Sequence, residues 1–181
     1  MCHFLSAIYF KTGRLVCLPE YSDSHTDLIE HEGIEDDKEP FLRSWVKVEL
    51  TPPDDWAGFN DVANWRFKLD EVSSAPEWWI EKKDDCLAQM QTKVKSMIVT
   101  DSRKILLGGC WILGPGAIVE KAMNCRVVAM LGDARIKVSS QFRCGEMRGS
   151  SRVNTMWGPS QVNIMRGSSR IIDMWDSSRV N

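Results

Sequence analysis

The chain has 181 residues, of which 43% are hydrophobic and 27% charged, and its formal net charge is −2. This length suits one domain or two small ones. No apolar run approaches the roughly 18 residues that cross a bilayer, and the N-terminus lacks the basic, apolar and small-residue order of a signal peptide. We therefore expect a cytoplasmic protein with no membrane partner.

Cysteine usage and charge describe the chain further. The six cysteines are widely spaced and form no C-x-x-C pair, so we expect free thiols and neither a disulfide scaffold nor a zinc ribbon. Lys and Arg number 13 against 20 Asp and Glu in residues 1–119, but 10 against 5 in residues 120–181. Composition changes near the Gly-Pro-Gly at 114–116. We predict an acidic α+β domain over residues 1–113 and a basic repeat domain over residues 114–181.

The N-terminal part predicts an α+β fold. FLSAIYF, the turn KTGR and LVC indicate a hairpin, and DSHTDLIEHEGI indicates a short helix capped by Asp23 or Ser24 and ended by Gly33. FLRSWVKVEL and NWRFKLDE supply two more strands. Apolar spacing from Pro76 to about Val99 predicts a long amphipathic helix, and KILLGGCWIL predicts a strand leading into the repeats.

The C-terminal third repeats every eight or nine residues. Methionine recurs at positions 147, 156, 165 and 174, and the units contain a small residue, then Val or Ile two positions later, then Met three positions after that. Weaker units extend the pattern back to Ala117, which makes eight units. A helical period of about 3.6 residues cannot produce this register.

This pattern predicts an all-β solenoid. Residues two apart share one side of a strand, so the small residue and the Val or Ile point inward, while Gly-Ser or Asp-Ser pairs supply the bends. Two eight- or nine-residue strand units close one coil of roughly 17 or 18 residues, which gives about four coils. Arg148 and Arg166 are 18 residues apart, and so are Trp157 and Trp175, as a two-sided coil requires.

The inward methionines, Cys125 and Cys144 are expected to fill the solenoid core, because thioethers pack narrow apolar spaces well. The turns lack the Gly- and Asp-rich unit of calcium-binding rolls. We therefore predict no cofactor and no metal ion.

Arginines occupy the outward position of most repeat units. Neighbouring charges about 5 Å apart in water repel by roughly 0.8 kcal/mol, so an anionic partner would stabilise such a ladder. Two interpretations stay open: a site for a nucleotide, a nucleic acid or an acidic protein, and a solvated face that blocks aggregation. The positions are Arg126, Arg135, Arg143, Arg152, Gln161, Arg170 and Arg179.

The last unit stops before its methionine. A solenoid end exposes unpaired backbone groups and apolar core unless it is capped. We therefore predict a homodimer through residues 165–181, in which two last coils stack across a two-fold axis. The predicted interface residues are Ile171, Met174, Trp175 and Val180.

Several stretches together resemble a group of poorly characterised bacteriophage and prophage proteins. They are MCHFLSAI, DSHTDLIE, WRFKLDE with PEWW, KILLGGCWIL and the MWDSSRV units. The resemblance covers nearly the whole chain and is most specific in the repeat. It implies a viral origin, a location in the host cytoplasm and a host protein, such as a defence component, as partner, and it brings no catalytic residues.

Two stretches of the sequence also suggest enzyme activity. Cys2 would become the first residue after Met removal, and MCH is similar to the MCG opening of class II glutamine amidotransferases, where the terminal amine is the base for the thiol. In DSHTDLIEH, Asp27 and His31 share a helix face near His25 and Glu30, which would suit a metal or hydrolytic site. A helix cap with solvated charges is the interpretation we favour for this stretch.

The sequence thus predicts a non-enzymatic binding or assembly protein in which the solenoid is the scaffold and the dimerisation element. One alternative is a nucleotide or nucleic-acid binder that uses the arginine ladders. The other is an amidohydrolase-like enzyme with Cys2 as its nucleophile.

Overall fold

Two units of different architecture make up the protein. The structure is a computed structural model that describes residues 5–35, 43–70 and 75–181. The units are Met1–Ser96 and Met97–Asn181. The first is a small α+β region and the second a parallel β-solenoid, so the predicted fold class is confirmed.

The first unit contains a four-stranded antiparallel sheet in the order β2-β1-β3-β4. The N-terminal hairpin turns at Gly13, whose φ of 91° favours glycine. Two short 3-10 turns, Asp54–Trp56 and Val62–Asn64, lie between the last two strands. The strands are β1 (Leu5–Phe10), β2 (Leu15–Val16), β3 (Trp45–Thr51) and β4 (Arg66–Leu69).

Helix α1 (His25–Glu32) begins and ends where the sequence predicted. The backbone N–H of Asp27 donates to the Ser24 hydroxyl at 3.5 Å, which caps the first turn. Gly33 adopts a left-handed conformation and its N–H donates to the last helical carbonyls.

The two helices cover opposite faces of the sheet. Neighbouring residues on a strand point to opposite sides, and Ile8 packs with Leu28 of α1, whereas the Tyr9 hydroxyl donates to Asp85 of α2 (Trp79–Met97). The long helix is therefore confirmed, with a start three residues later than Pro76. Its buried residues follow helical spacing: Trp79, Cys86, Met90, Val94 and Met97.

The second unit has two parallel sheets whose strands alternate along the chain, so each coil contributes one strand to each sheet. It has about five coils, one more than the sequence analysis counted, because residues 98–113 also form solenoid strands. One sheet contains β5 (Ile98–Val99), β7 (Cys110–Leu113), β9 (Arg126–Met130), β11 (Arg143–Met147), β13 (Gln161–Met165) and β15 (Arg179–Val180). The other contains β6 (Ser102–Leu107), β8 (Ile118–Met123), β10 (Arg135–Ser140), β12 (Arg152–Trp157) and β14 (Arg170–Met174).

Strand register confirms the two-unit coil. Val153 of β12 pairs with Ile136 on one side and with Ile171 on the other, which are 17 and 18 residues away. The stretch KILLGGCWIL, expected as one strand, instead forms β6 and β7 on different sheets. Gly108 and Gly109 both have positive φ, 63° and 70°, and make the corner between them.

The predicted inward positions form the solenoid core. In the first five units, from Ala117 to Met156, the residue at each of the three predicted inward positions is buried. Cys125 and Cys144 are among them, as expected. The methionine prediction holds for Met130, Met147 and Met156, which are fully or almost fully buried.

Candidate functional site

One arginine column runs across the sheet that contains β10, β12 and β14. Arg135 pairs in register with Arg152, and Arg152 pairs with Arg170. Neighbouring strands of a parallel sheet lie about 4.8 Å apart, so the three arginine side chains start from adjacent strands. The structure therefore brings three of the predicted outward arginines together in one column.

A second column crosses the other sheet. Arg126 pairs with Arg143, Arg143 with Gln161, and Gln161 with Arg179. The amide oxygen of Gln161 accepts a hydrogen bond from Arg179 at 3.0 Å. This column therefore contains one neutral rung that separates its charges, unlike the first.

The arginines of the first column are not balanced by ion pairs. Within the described ranges, Arg135, Arg152 and Arg170 make no ion pair, and the buried Arg152 Nε has no hydrogen-bond partner. Other solenoid arginines are paired: Glu146 binds both Arg148 and Arg166, at 2.7 and 2.9 Å. The arginine column is thus a positively charged strip with unused donors.

The last coil is the most exposed part of the solenoid core. Strands β14 and β15 stand at the ends of their sheets, each paired with one described strand only. The predicted interface residues lie here: Ile171 is half-buried, while Met174, Trp175 and Val180 are 42%, 52% and 41% exposed. Ile172, which the sequence analysis did not single out, is 54% exposed. Equivalent residues one coil earlier, such as Met156 and Val162, are buried.

The DSHTDLIEH stretch does not form the cluster that its spacing allows. Asp27 accepts a hydrogen bond from Ser22 at 2.5 Å, and His31 lies 3.5 Å from Glu32, its neighbour on the same helix. His25 instead turns into the first unit, where it meets Glu49 and Asp70. No spacing signal pointed to those two carboxylates, because Glu49 of β3 and Asp70 after β4 are more than twenty residues away along the chain.

Three buried thiols are poor nucleophiles. Burial raises the pKa of Cys86 to about 12 and that of Cys125 to about 11, and it also raises the pKa of Cys144. These cysteines fill the core in their neutral form. Cys2, the candidate catalytic residue, lies outside the described residues, and its role stays a prediction.

The fold and these surfaces define a β-solenoid protein with a small N-terminal α+β unit. No protein family, curated protein or solved structure matches the chain. Among the described residues, no helix is both long enough and apolar enough to cross a bilayer.

Proposed function

We propose that this β-solenoid protein is a non-enzymatic assembly protein that forms a homodimer through residues 165–181. The observation that carries the proposal is the exposure of apolar side chains in the last coil, namely those of Ile172, Met174, Trp175 and Val180. Exposed apolar groups beside free strand edges favour pairing with another chain.

Charge favours a second copy as the occupant. Strand β14 carries Arg170 near its start and Asp173 near its end. If a two-fold axis passes through Ile172, β14 pairs antiparallel with β14 of the second copy. Arg170 of each copy then lies near Asp173 of the other. An isologous contact of this kind is self-complementary, whereas stacking in parallel register would place like charges on neighbouring rungs, as Arg152 and Arg170 are.

Sedimentation velocity at tens of micromolar tests the proposal. We expect a dimer with a dissociation constant on the order of 10 µM, because one coil end is a small interface. Ile172→Asp should shift the protein to monomer. Val138→Asp changes an exposed aliphatic residue of an inner coil on the same sheet and should leave the dimer intact. A monomeric parent protein, or a dimer that survives removal of residues 174–181, would contradict the proposal.

Polyanion binding is the second candidate, and the unpaired Arg135–Arg152–Arg170 column favours it. Arginines that contact phosphates release the counterions bound there, so affinity falls as salt rises. For single strands, the logarithm of the binding constant falls by about 0.7 per contacted phosphate for each tenfold rise in salt concentration. Arg135→Glu with Arg152→Glu should abolish binding of a single-stranded DNA oligonucleotide. Lys83→Glu with Lys95→Glu removes equal charge from exposed positions of α2 and should not. Equal loss in both double variants would show that only net charge matters.

A host protein as a further partner, a phage origin and a cytoplasmic location stay predictions from the sequence. An affinity capture from host lysate is the test of the host partner. Detection of retained Met1 by mass spectrometry would end the Cys2 enzyme hypothesis, because the thiol would then have no free α-amine.

A further inference from the structure

Three side chains with metal-ligating atoms converge in the first unit, apart from the surfaces described above. They are His25 at the start of α1, Glu49 of β3 and Asp70, which follows β4. One ligating atom from each lies within 4.8 Å of the other two. His25 is only 6% exposed, so its ring is held by the surrounding protein.

The ring orientation of His25 directs one nitrogen at the carboxylates. Nε2 lies 3.1 Å from the backbone carbonyl oxygen of Val48, which can only accept, so Nε2 carries the hydrogen and donates it. Nδ1 lies 3.3 Å from Oδ2 of Asp70, another acceptor. Histidines that bind metals commonly donate their other N–H to a backbone carbonyl in this way.

Ser6 is an independent sign of a polar ligand on this face. Ser6 pairs directly with Glu49 across β1 and β3, so their side chains share one side of the sheet. It is 2% exposed, and its hydroxyl has no hydrogen-bond partner within the described part of the chain. Buried hydroxyls are nearly always satisfied. A cation that carries water would supply the missing partner.

The neighbouring lysine leaves one carboxylate oxygen available. Lys68 donates to Oδ1 of Asp70 at 3.0 Å. The other oxygen, Oδ2, is the one that faces His25. Lys68 therefore occupies a different oxygen of Asp70 from the one that faces the imidazole.

We propose that His25 Nδ1, Glu49 and Asp70 bind one divalent first-row transition-metal ion, with Zn²⁺ as the representative ion. One imidazole with two carboxylates is a donor set suited to Zn²⁺ and its neighbours in the series. Three protein ligands leave a coordination position for water, which the Ser6 side of the sheet can hydrogen-bond. Such a site would join α1 to β3 and to the residue after β4.

Calorimetric titration of the EDTA-treated, dialysed full chain with Zn²⁺ tests the site. We expect one equivalent bound, with affinity at least about tenfold weaker in Asp70→Asn. Lys68→Gln should tighten binding, because it removes a positive charge beside the ligand. Glu30→Gln alters an exposed carboxylate of the same helix and should change nothing.

Cobalt identifies the ligands. Bound Co²⁺ should give visible absorption bands without thiolate charge-transfer bands, since no cysteine is among the proposed ligands. If Asp70→Asn does not fold, Glu49→Gln and Lys68→Gln provide the same comparison. Absence of one bound equivalent in the parent protein, unchanged affinity in both carboxylate variants, or a thiolate spectrum would overturn the proposal.

Discussion

Trp157 and Trp175 stack face to face on successive coils, with ring centroids 5.4 Å apart and planes 12° from parallel. They are 18 residues apart, so the two-unit coil places their side chains on adjacent rungs. Trp157 is 42% exposed. The pair therefore reports directly on the register of the last two coils.

The stacked indoles should stabilise the last two coils by about 0.5–1.5 kcal/mol beyond the apolar area they bury. A double-mutant cycle of Trp157→Ala and Trp175→Ala, measured by urea denaturation, should give a coupling energy of about this size. The control is a cycle of Trp175→Ala with Trp56→Ala, because Trp56 lies in the other unit and contacts Trp65, and its coupling energy should be near zero. A coupling energy near zero for Trp157 and Trp175 would show that the pair does not stack in solution.

Glycine is needed where coil corners touch. A Cβ on Gly149 would lie 2.8 Å from the carbonyl oxygen of Gly132, and the φ of Gly149 is 67°. Gly158 has a similar φ of 61° but no atom within 4 Å of its Cβ position. We expect Gly158→Ala to cost about 1 kcal/mol of unfolding free energy from backbone strain, and Gly149→Ala to cost about 2 kcal/mol or more. Urea denaturation measures both, and equal losses would contradict the corner contact.

Glu146 joins two coils through its two arginines. Its side chain is 14% exposed, and it receives Arg148 and Arg166. Glu146→Gln should lower the unfolding free energy by about 1–3 kcal/mol, because the partly buried Arg148 and the more exposed Arg166 both lose this charged partner. The exposed pair Glu120–Lys137 is the comparison, and Glu120→Gln should cost below about 1 kcal/mol. Chemical denaturation that ranked the two variants in the opposite order would contradict this account.

Buried thiols predict a loss of stability at alkaline pH. In the unfolded chain a thiol ionises near pH 8.5, whereas in the folded protein burial raises the pKa of Cys86 to about 12 and that of Cys125 to about 11. The folded state thus holds more protons above pH 8.5, and the unfolding free energy should fall by about 1.4 kcal/mol per pH unit for each thiol. Below about pH 8.5 these thiols do not make the unfolding free energy depend on pH.

Denaturant titrations between pH 8 and pH 10 measure this slope. Cys125→Ala should show a shallower decline than the parent protein, whatever its stability at pH 7. An identical slope in the variant would mean that the thiol ionises equally in both states.

The solenoid was predictable because its signal is local and repeated. Side-chain direction alternates along a strand, so Ala117, Val119 and Ala122 indicate the same buried positions that later units repeat. The Gly108–Gly109 corner was missed, since an apolar run around two glycines also fits one strand.

The histidine cluster was not predictable in the same way. Glu49 alternates with buried residues in β3, as any solvated strand residue would, and Asp70 stands beyond the end of β4. Only the antiparallel pairing of β3 with β4, and the packing of α1 on that face, bring them to His25. Contacts that arise only from tertiary packing produce no regular residue spacing by which the sequence could predict them.

The most direct measurement for the assembly proposal is a mixing experiment with charge variants, followed by sedimentation velocity. Arg170→Asp alone and Asp173→Arg alone should each be monomeric, because each places like charges across the two-fold axis. An equimolar mixture should form a heterodimer, since every Asp then faces an Arg on the other chain. Variants that dimerise alone as well as the parent protein does, or a mixture that stays monomeric, would contradict the account.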